Sequence, residues 1–190
     1  QSLRGCQTNI AFSKGEVFRG IAGGGGGLGD PFLRNPAEIQ QDLIDGAISS
    51  SAAQQLYGAV LCDGSTNEVD ASATWAKRNA LRAAIVPSAN VDLQNLPTDT
   101  AHEGIRCSDG NWACAHCEKP LASSDANWAA ATHSRERDLT DVFETADTYT
   151  RRREQNPVTL REHYCPACAA CLSVQVNLAQ ESTPVYHLNN

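Results

Sequence analysis

A chain of 190 residues holds one ordinary domain or two small ones, and an apolar share of 41% is enough for a folded core. Aromatics make up only 6% against 14 glycines, so that core is expected to be thin. A net charge of −7, with no basic block beyond Arg151–Arg153, argues against a nucleic-acid surface, and no run of about 18 apolar residues exists to span a membrane.

No basic-then-apolar leader opens the chain. It holds no methionine and begins at Gln1, so the native start is expected to differ from residue 1. Weak alternation of Ile10, Phe12, Val17 and Phe18 suggests one or two short strands within residues 1–20. Gly23–Gly27 and Gly29 follow, too rich in glycine for a regular element. A loop of this kind can cradle a phosphate with its amides. No Gly-Lys-Ser/Thr comes after it, so a tether or packing turn is the better reading.

Asn35-Pro36-Ala37-Glu38 reads as a helix start, with Asn35 capping, Pro36 in the first position and Glu38 completing a capping box. Ile39, Leu43 and Ile44 mark its buried stripe, and Gly46 stops it. Ser50 or Ser51 is expected to cap a second short helix that Gly58 ends. Ala59–Cys62 reads as a short strand before an Asp63-Gly64 turn, with Cys62 buried. Residues 70–85 are Ala-rich and helical, anchored by Trp75, Leu81 and Ile85.

Residues 87–104 are polar, contain two prolines, and read as a linker between a segment at 1–86 and a domain at 105–190. Beyond it, Ile105–Cys107 and Asn111–Cys114 flank Asp109-Gly110 as a hairpin. Leu139, Val142, Phe143, Ala146 and Tyr149 suggest an amphipathic helix over 135–154, with Arg151–Arg153 at its C-terminal end. Val158–Tyr164 and Leu172–Val176 read as strands.

Between these strands lie two Cys-x-x-Cys knuckles, Cys114/Cys117 and Cys165/Cys168. Each supplies two thiolates at one edge of a tetrahedron, and together they suit Zn²⁺, with no position left open for a catalytic water. An even set of eight cysteines also permits disulfides, but the paired spacing favours metal in a reducing cytoplasm. Cys107 and Cys171 offer substitute thiols, although each reads better as a small core residue. His116 sits inside the first knuckle, where side chains tend to face outward, and His163 alternates away from the second. The fold class expected is α+β: a small helical and loop segment followed by a zinc-ribbon-like domain. No catalytic residue stands out.

Two resemblances attach to these motifs. Gly-Gly-Gly-Gly-Leu-Gly-Asp-Pro (24–31), Arg34-Asn35-Pro36, Asp42–Gly46 and Tyr57–Leu61 resemble the C-terminal tail of the hydantoinase B family, which includes large subunits of 5-oxoprolinases and ketone carboxylases. Trp112, the first knuckle, Asn127-Trp128 and Leu160–Cys168 resemble the small zinc-binding subunit of ATP-dependent ketone carboxylases. Ala169-Ala170 stands where that family often has Gly-Thr, so a turn with positive φ is expected to be rebuilt there. The resemblance implies structural Zn²⁺ in this chain, with ATP and Mg²⁺ or Mn²⁺ in large hydantoinase A/B-like partner subunits. The glycine-rich tail points to the acetophenone carboxylase branch, which makes benzoylacetate from acetophenone and bicarbonate. A small subunit of an ATP-dependent hydantoinase or lactam amidohydrolase, and a stand-alone zinc-ribbon interaction protein, are the alternatives.

Overall fold

The structure, a computed structural model, describes residues 11–17, 28–97, 104–138 and 158–178. It is a mixed α+β fold of short helices and two three-stranded antiparallel sheets. Residues 11–17 make a turn and no strand, while the remaining strand positions expected before residue 20 and the glycines 23–27 lie outside the described residues.

Helix α1 (Pro36–Ile44) starts as its sequence dictates: Asn35 Oδ1 accepts from the Ala37 amide at 3.0 Å. The other half of the capping box is replaced, because the Glu38 carboxylate faces Arg34 Nε at 3.6 Å. Gly46, at φ 68°, lets the Gly46 and Ala47 amides reach back to Leu43 O and Asp42 O and close the helix. Ile44, expected in the buried stripe, is exposed, and the small cluster around Ile39, Ala53 and Ala59 takes Leu43 instead. The cap of α2 (Ser50–Gln55) is Ser49, whose Oγ accepts from the Ala52 amide; Ser50 instead donates to Thr66 O. The strand expected over 59–62 shrinks to a single bridge, Leu61 to Val69, and Cys62 is only partly buried.

Helix α3 (Ala71–Ile85) buries a polar stripe: Thr74, Arg78 and Arg82, spaced by one turn each. Leu81, an expected anchor, is 42% exposed. The irregular chain around α3 explains this choice. Its carbonyls have no ladder partner, and a buried carbonyl must find a donor. Arg78 Nε donates to Tyr57 O, and its Nη1 donates to both Phe32 O and Arg34 O, at 2.8–3.0 Å. Arg82 Nη2 meets Asp30 Oδ1 at 2.6 Å, and its guanidinium lies over the rings of Phe32 and Tyr164. Burial pushes Arg78 down to about 10, opposed by the Asp30 carboxylate. It therefore stays charged at neutral pH.

The first sheet comprises β1 (Ile105–Ser108), β2 (Asn111–Cys114) and β3 (Pro120–Ser123). Asp109 and Gly110, both at positive φ, form the expected two-residue turn between β1 and β2. The second sheet comprises β4 (His133–Asp138), β5 (Val158–Tyr164) and β6 (Cys171–Leu178). Residues 135–138 are thus strand, not the start of the expected helix. Their alternating charges pair across to β5: Arg137 bonds Glu162 at 2.7 Å, and Glu136 bonds Arg161. The rest of that expected helix, with Arg151–Arg153, lies outside the described residues.

One core runs through both halves. Leu33 and Leu93 join Trp112, Trp128, Leu172 and the knuckle cysteines in a single buried cluster. The stretch expected as a linker accordingly packs over 87–97: Leu93 is fully buried, its amide donates to Asn79 Oδ1, and the Asn90 amide donates to Ala167 O. Gly104 makes the close approach at the edge of this core. A Cβ there would stand 2.6 Å from the Leu172 Cα, so only glycine fits.

Candidate metal centre

Each knuckle is the turn of a hairpin, the first joining β2 to β3 and the second joining β5 to β6. Their backbones repeat the same pattern. Cys114 N donates to Lys119 O and Glu118 N donates back to Cys114 O. Cys165 N donates to Ala170 O and Ala169 N donates back to Cys165 O. All four bonds measure 2.9–3.0 Å. The residue after each second cysteine takes positive φ: Glu118 at 61° and Ala169 at 59°. The turn expected at Ala169 is thus rebuilt without glycine, at a cost of roughly 1–2 kcal/mol.

These turns aim four sulfurs at one point. The Sγ atoms of Cys114, Cys117, Cys165 and Cys168 all lie within 4.8 Å of one another. Across the knuckles, Cys114 Sγ is 3.8 Å from Cys168 Sγ, and Cys117 Sγ is 3.6 Å from Cys165 Sγ. A tetrahedral site with Zn–S bonds near 2.3 Å has sulfur–sulfur edges of about 3.8 Å. The cluster is therefore compatible with a metal such as zinc. Burial sharpens the fit: Cys114, Cys165 and Cys168 are buried, and Cys117 alone is partly exposed.

The electrostatics point the same way. Hydrogen bonds from the Cys114 and Cys168 thiols hold Cys165 far below the usual thiol range. In exchange, hydrogen bonding to Cys165 pushes Cys114 up to about 12, and hydrogen bonding to Cys114 pushes Cys168 higher still. One thiolate suppresses the next, and a divalent cation at the centre would allow all four to ionise together.

Among the described residues, the other sulfurs and imidazoles stay outside the cluster. Cys107 is exposed on β1 rather than a core residue. Cys171 is buried as expected, and desolvation pushes its thiol up to about 12, with Asp30 adding to the effect. His116 turns inward rather than outward, placing Nδ1 3.0 Å from Pro97 O. His163 is buried beside Trp128, with Nδ1 2.9 Å from Thr132 Oγ1. Since the Thr132 hydroxyl donates to Ala129 O, Nδ1 carries the imidazole proton. Burial first, then Arg161, keeps this imidazole below its ordinary range and neutral.

Sequence reasoning missed Asp30. It caps the 3-10 turn Pro31–Leu33 through the Phe32 amide, pairs with Arg82, and accepts from the Cys171 amide through Oδ2 at 2.7 Å. It thus fastens the end of the glycine-rich motif to the strand leaving the second knuckle. The signal available was an Asp-Pro after glycines, which marks a cap but not a partner so distant in the chain.

Among the described residues, no helix is long and apolar enough to cross a membrane. No curated protein matches the chain. The family model described as acetone carboxylase gamma subunit matches residues 92–188, half of the chain. That span begins in the packed stretch before β1 and contains all four clustered cysteines. The chain belongs to the acetone carboxylase gamma subunit family.

Proposed function

We propose that this chain is the zinc-binding, non-catalytic structural subunit of a cytoplasmic, ATP-dependent ketone carboxylase. The observation that carries the reading is the four-sulfur cluster, whose edges match a zinc tetrathiolate, within a span that matches a carboxylase subunit family. Cys114, Cys117, Cys165 and Cys168 hold Zn²⁺, which ties the two hairpins together. With four thiolates the ion has no free position for water, so its work is folding rather than catalysis.

ATP, Mg²⁺ or Mn²⁺ and the reacting groups belong to large hydantoinase A/B-like subunits. The segment ending at residue 86 docks on them, as its resemblance to the hydantoinase B tail implies. Exposed Leu28, Ile44, Leu56 and Leu81 on that segment support the docking. The glycine-rich motif favours acetophenone as the ketone, with benzoylacetate as product.

Metal analysis of the native complex should return one zinc per copy of this chain. Affinity capture through the chain should bring down the large subunits. That complex, given ATP, labelled bicarbonate and acetophenone, should form labelled β-keto acid. Label incorporated from acetone but not acetophenone would overturn the branch assignment. ATP-dependent ring opening of a hydantoin or lactam without label would overturn the carboxylase reading.

A further inference from the structure

We propose that Cys117 is an oxidation site through which peroxides release the metal and uncouple the two hairpins. The inference rests on the zinc reading above. The four sulfurs are unequal: three are buried, while Cys117 is partly exposed. It lines an open cleft of about 490 Å³ together with Cys168, Asn90, Asp92, Glu118 and Lys119, and Cys168 at that cleft is only 4% exposed. A small polar oxidant therefore reaches this sulfur before the other three. Its neighbour across the knuckles, Cys165 Sγ, is 3.6 Å away. A disulfide needs about 2.05 Å between sulfurs, so the pair must close by about 1.5 Å on oxidation.

The chemistry balances with a hydroperoxide as oxidant. The Cys117 thiolate attacks the terminal peroxide oxygen and the O–O bond breaks. Sulfur loses two electrons, and the leaving oxygen takes a proton from solvent to become water or an alcohol. The Cys165 thiolate then attacks the resulting sulfenic acid and expels hydroxide, forming the Cys117–Cys165 bond. The site has lost two of its four ligands, so the ion departs, and Cys114 and Cys168 take up protons from solvent. Excess dithiol and zinc reverse the sequence. Oxidation at this position opens the clamp between the sheets.

The test uses the native complex after metal analysis. Under limiting iodoacetamide, peptide mass spectrometry should show Cys117 alkylated about tenfold faster than Cys114, Cys165 or Cys168. Under hydrogen peroxide, zinc captured by a chromogenic chelator should appear in step with a Cys117–Cys165 disulfide. Cys107→Ser, which removes an exposed thiol away from the cluster, should leave zinc release unchanged. Equal alkylation of the four cysteines, protection of Cys117 in the complex, or a first disulfide that excludes Cys117 would each overturn the inference while leaving the zinc site standing. A complex that contains no zinc overturns both readings.

Discussion

Around α3 the interior is assembled from two arginines; between the sheets it is assembled from four sulfurs. Each region sets a polar device beside large apolar side chains, Phe32 and Trp75 at the arginines and Trp112, Trp128 and Leu172 at the sulfurs. The arginine device is complete within the chain, because Arg78 meets three carbonyls and Arg82 meets Asp30. The sulfur device is compatible with a further member, the proposed zinc, because its thiols oppose one another's ionisation. The arginine half thus needs no added ion, and the sulfur half depends on the proposed metal. The comparison also shows where the halves meet: Asp30 serves Arg82 on one side and the Cys171 amide on the other.

The strongest way to break this contrast is to remove the metal. Chelation should withdraw on the order of 10 kcal/mol from the ribbon and melt β1–β6. Circular dichroism should retain part of the helical signal from α1–α3. If helix and strand vanish together, the shared core around Leu93 makes the chain one cooperative unit and the contrast fails. Asp30→Ala comes next. It strands the buried Arg82 charge, and a loss of about 3–5 kcal/mol in denaturant unfolding is expected while zinc content stays the same. Arg78→Lys is a smaller cut. A single ammonium cannot replace the fork that reaches Tyr57 O, Phe32 O and Arg34 O, so roughly 2 kcal/mol should be lost in thermal or denaturant melts.

The finest comparison sets the two knuckles against each other. Glu118→Gly relieves a left-handed residue on an exposed turn and gives up only the surface pair with Arg106. A gain of about 1 kcal/mol is expected. Ala169→Gly relieves the same strain but deletes a buried methyl, worth about 0.8 kcal/mol, so its melting point should barely move. If both variants shift by the same amount, the different surroundings of the knuckles are irrelevant to their stability.

What could be read from the sequence was local. Asn35, Gly46, Asp109-Gly110 and the two knuckles act within a few residues, and each appears where its chemistry demands. What was missed depended on distant partners. Arg78 and Arg82 are not among the anchors expected for α3, because Asp30 and the loop carbonyls they meet are distant in the chain. Residues 135–138 are joined to a helix by the apolar spacing that starts at Leu139, because only β5 supplies the partners that make their charges a strand. Residues 87–97 look like a tether, since polar composition hides that Leu93 fills the space beneath both sheets. Zinc-ribbon architecture is legible in such a chain; the polar interior that joins it to the helices is not.

The Asp30–Cys171 hydrogen bond has a consequence in time. Its partners are 141 positions apart, so the Asp30 Oδ2 atom waits for the strand after the second knuckle, while Oδ1 meets Arg82 only 52 positions away. At about 5–20 residues per second, a ribosome needs on the order of 10 s to deliver Cys171 after Asp30 has emerged. During that interval Asp30 has no Cys171 amide to accept from, and the helices lack the surface that Leu33 and Phe32 will cover. Docking of residues 30–33 against the strand leaving the second knuckle is thereby expected to follow synthesis of Cys171, although the contacts of Arg78 and Arg82 with residues 30–57 can form earlier.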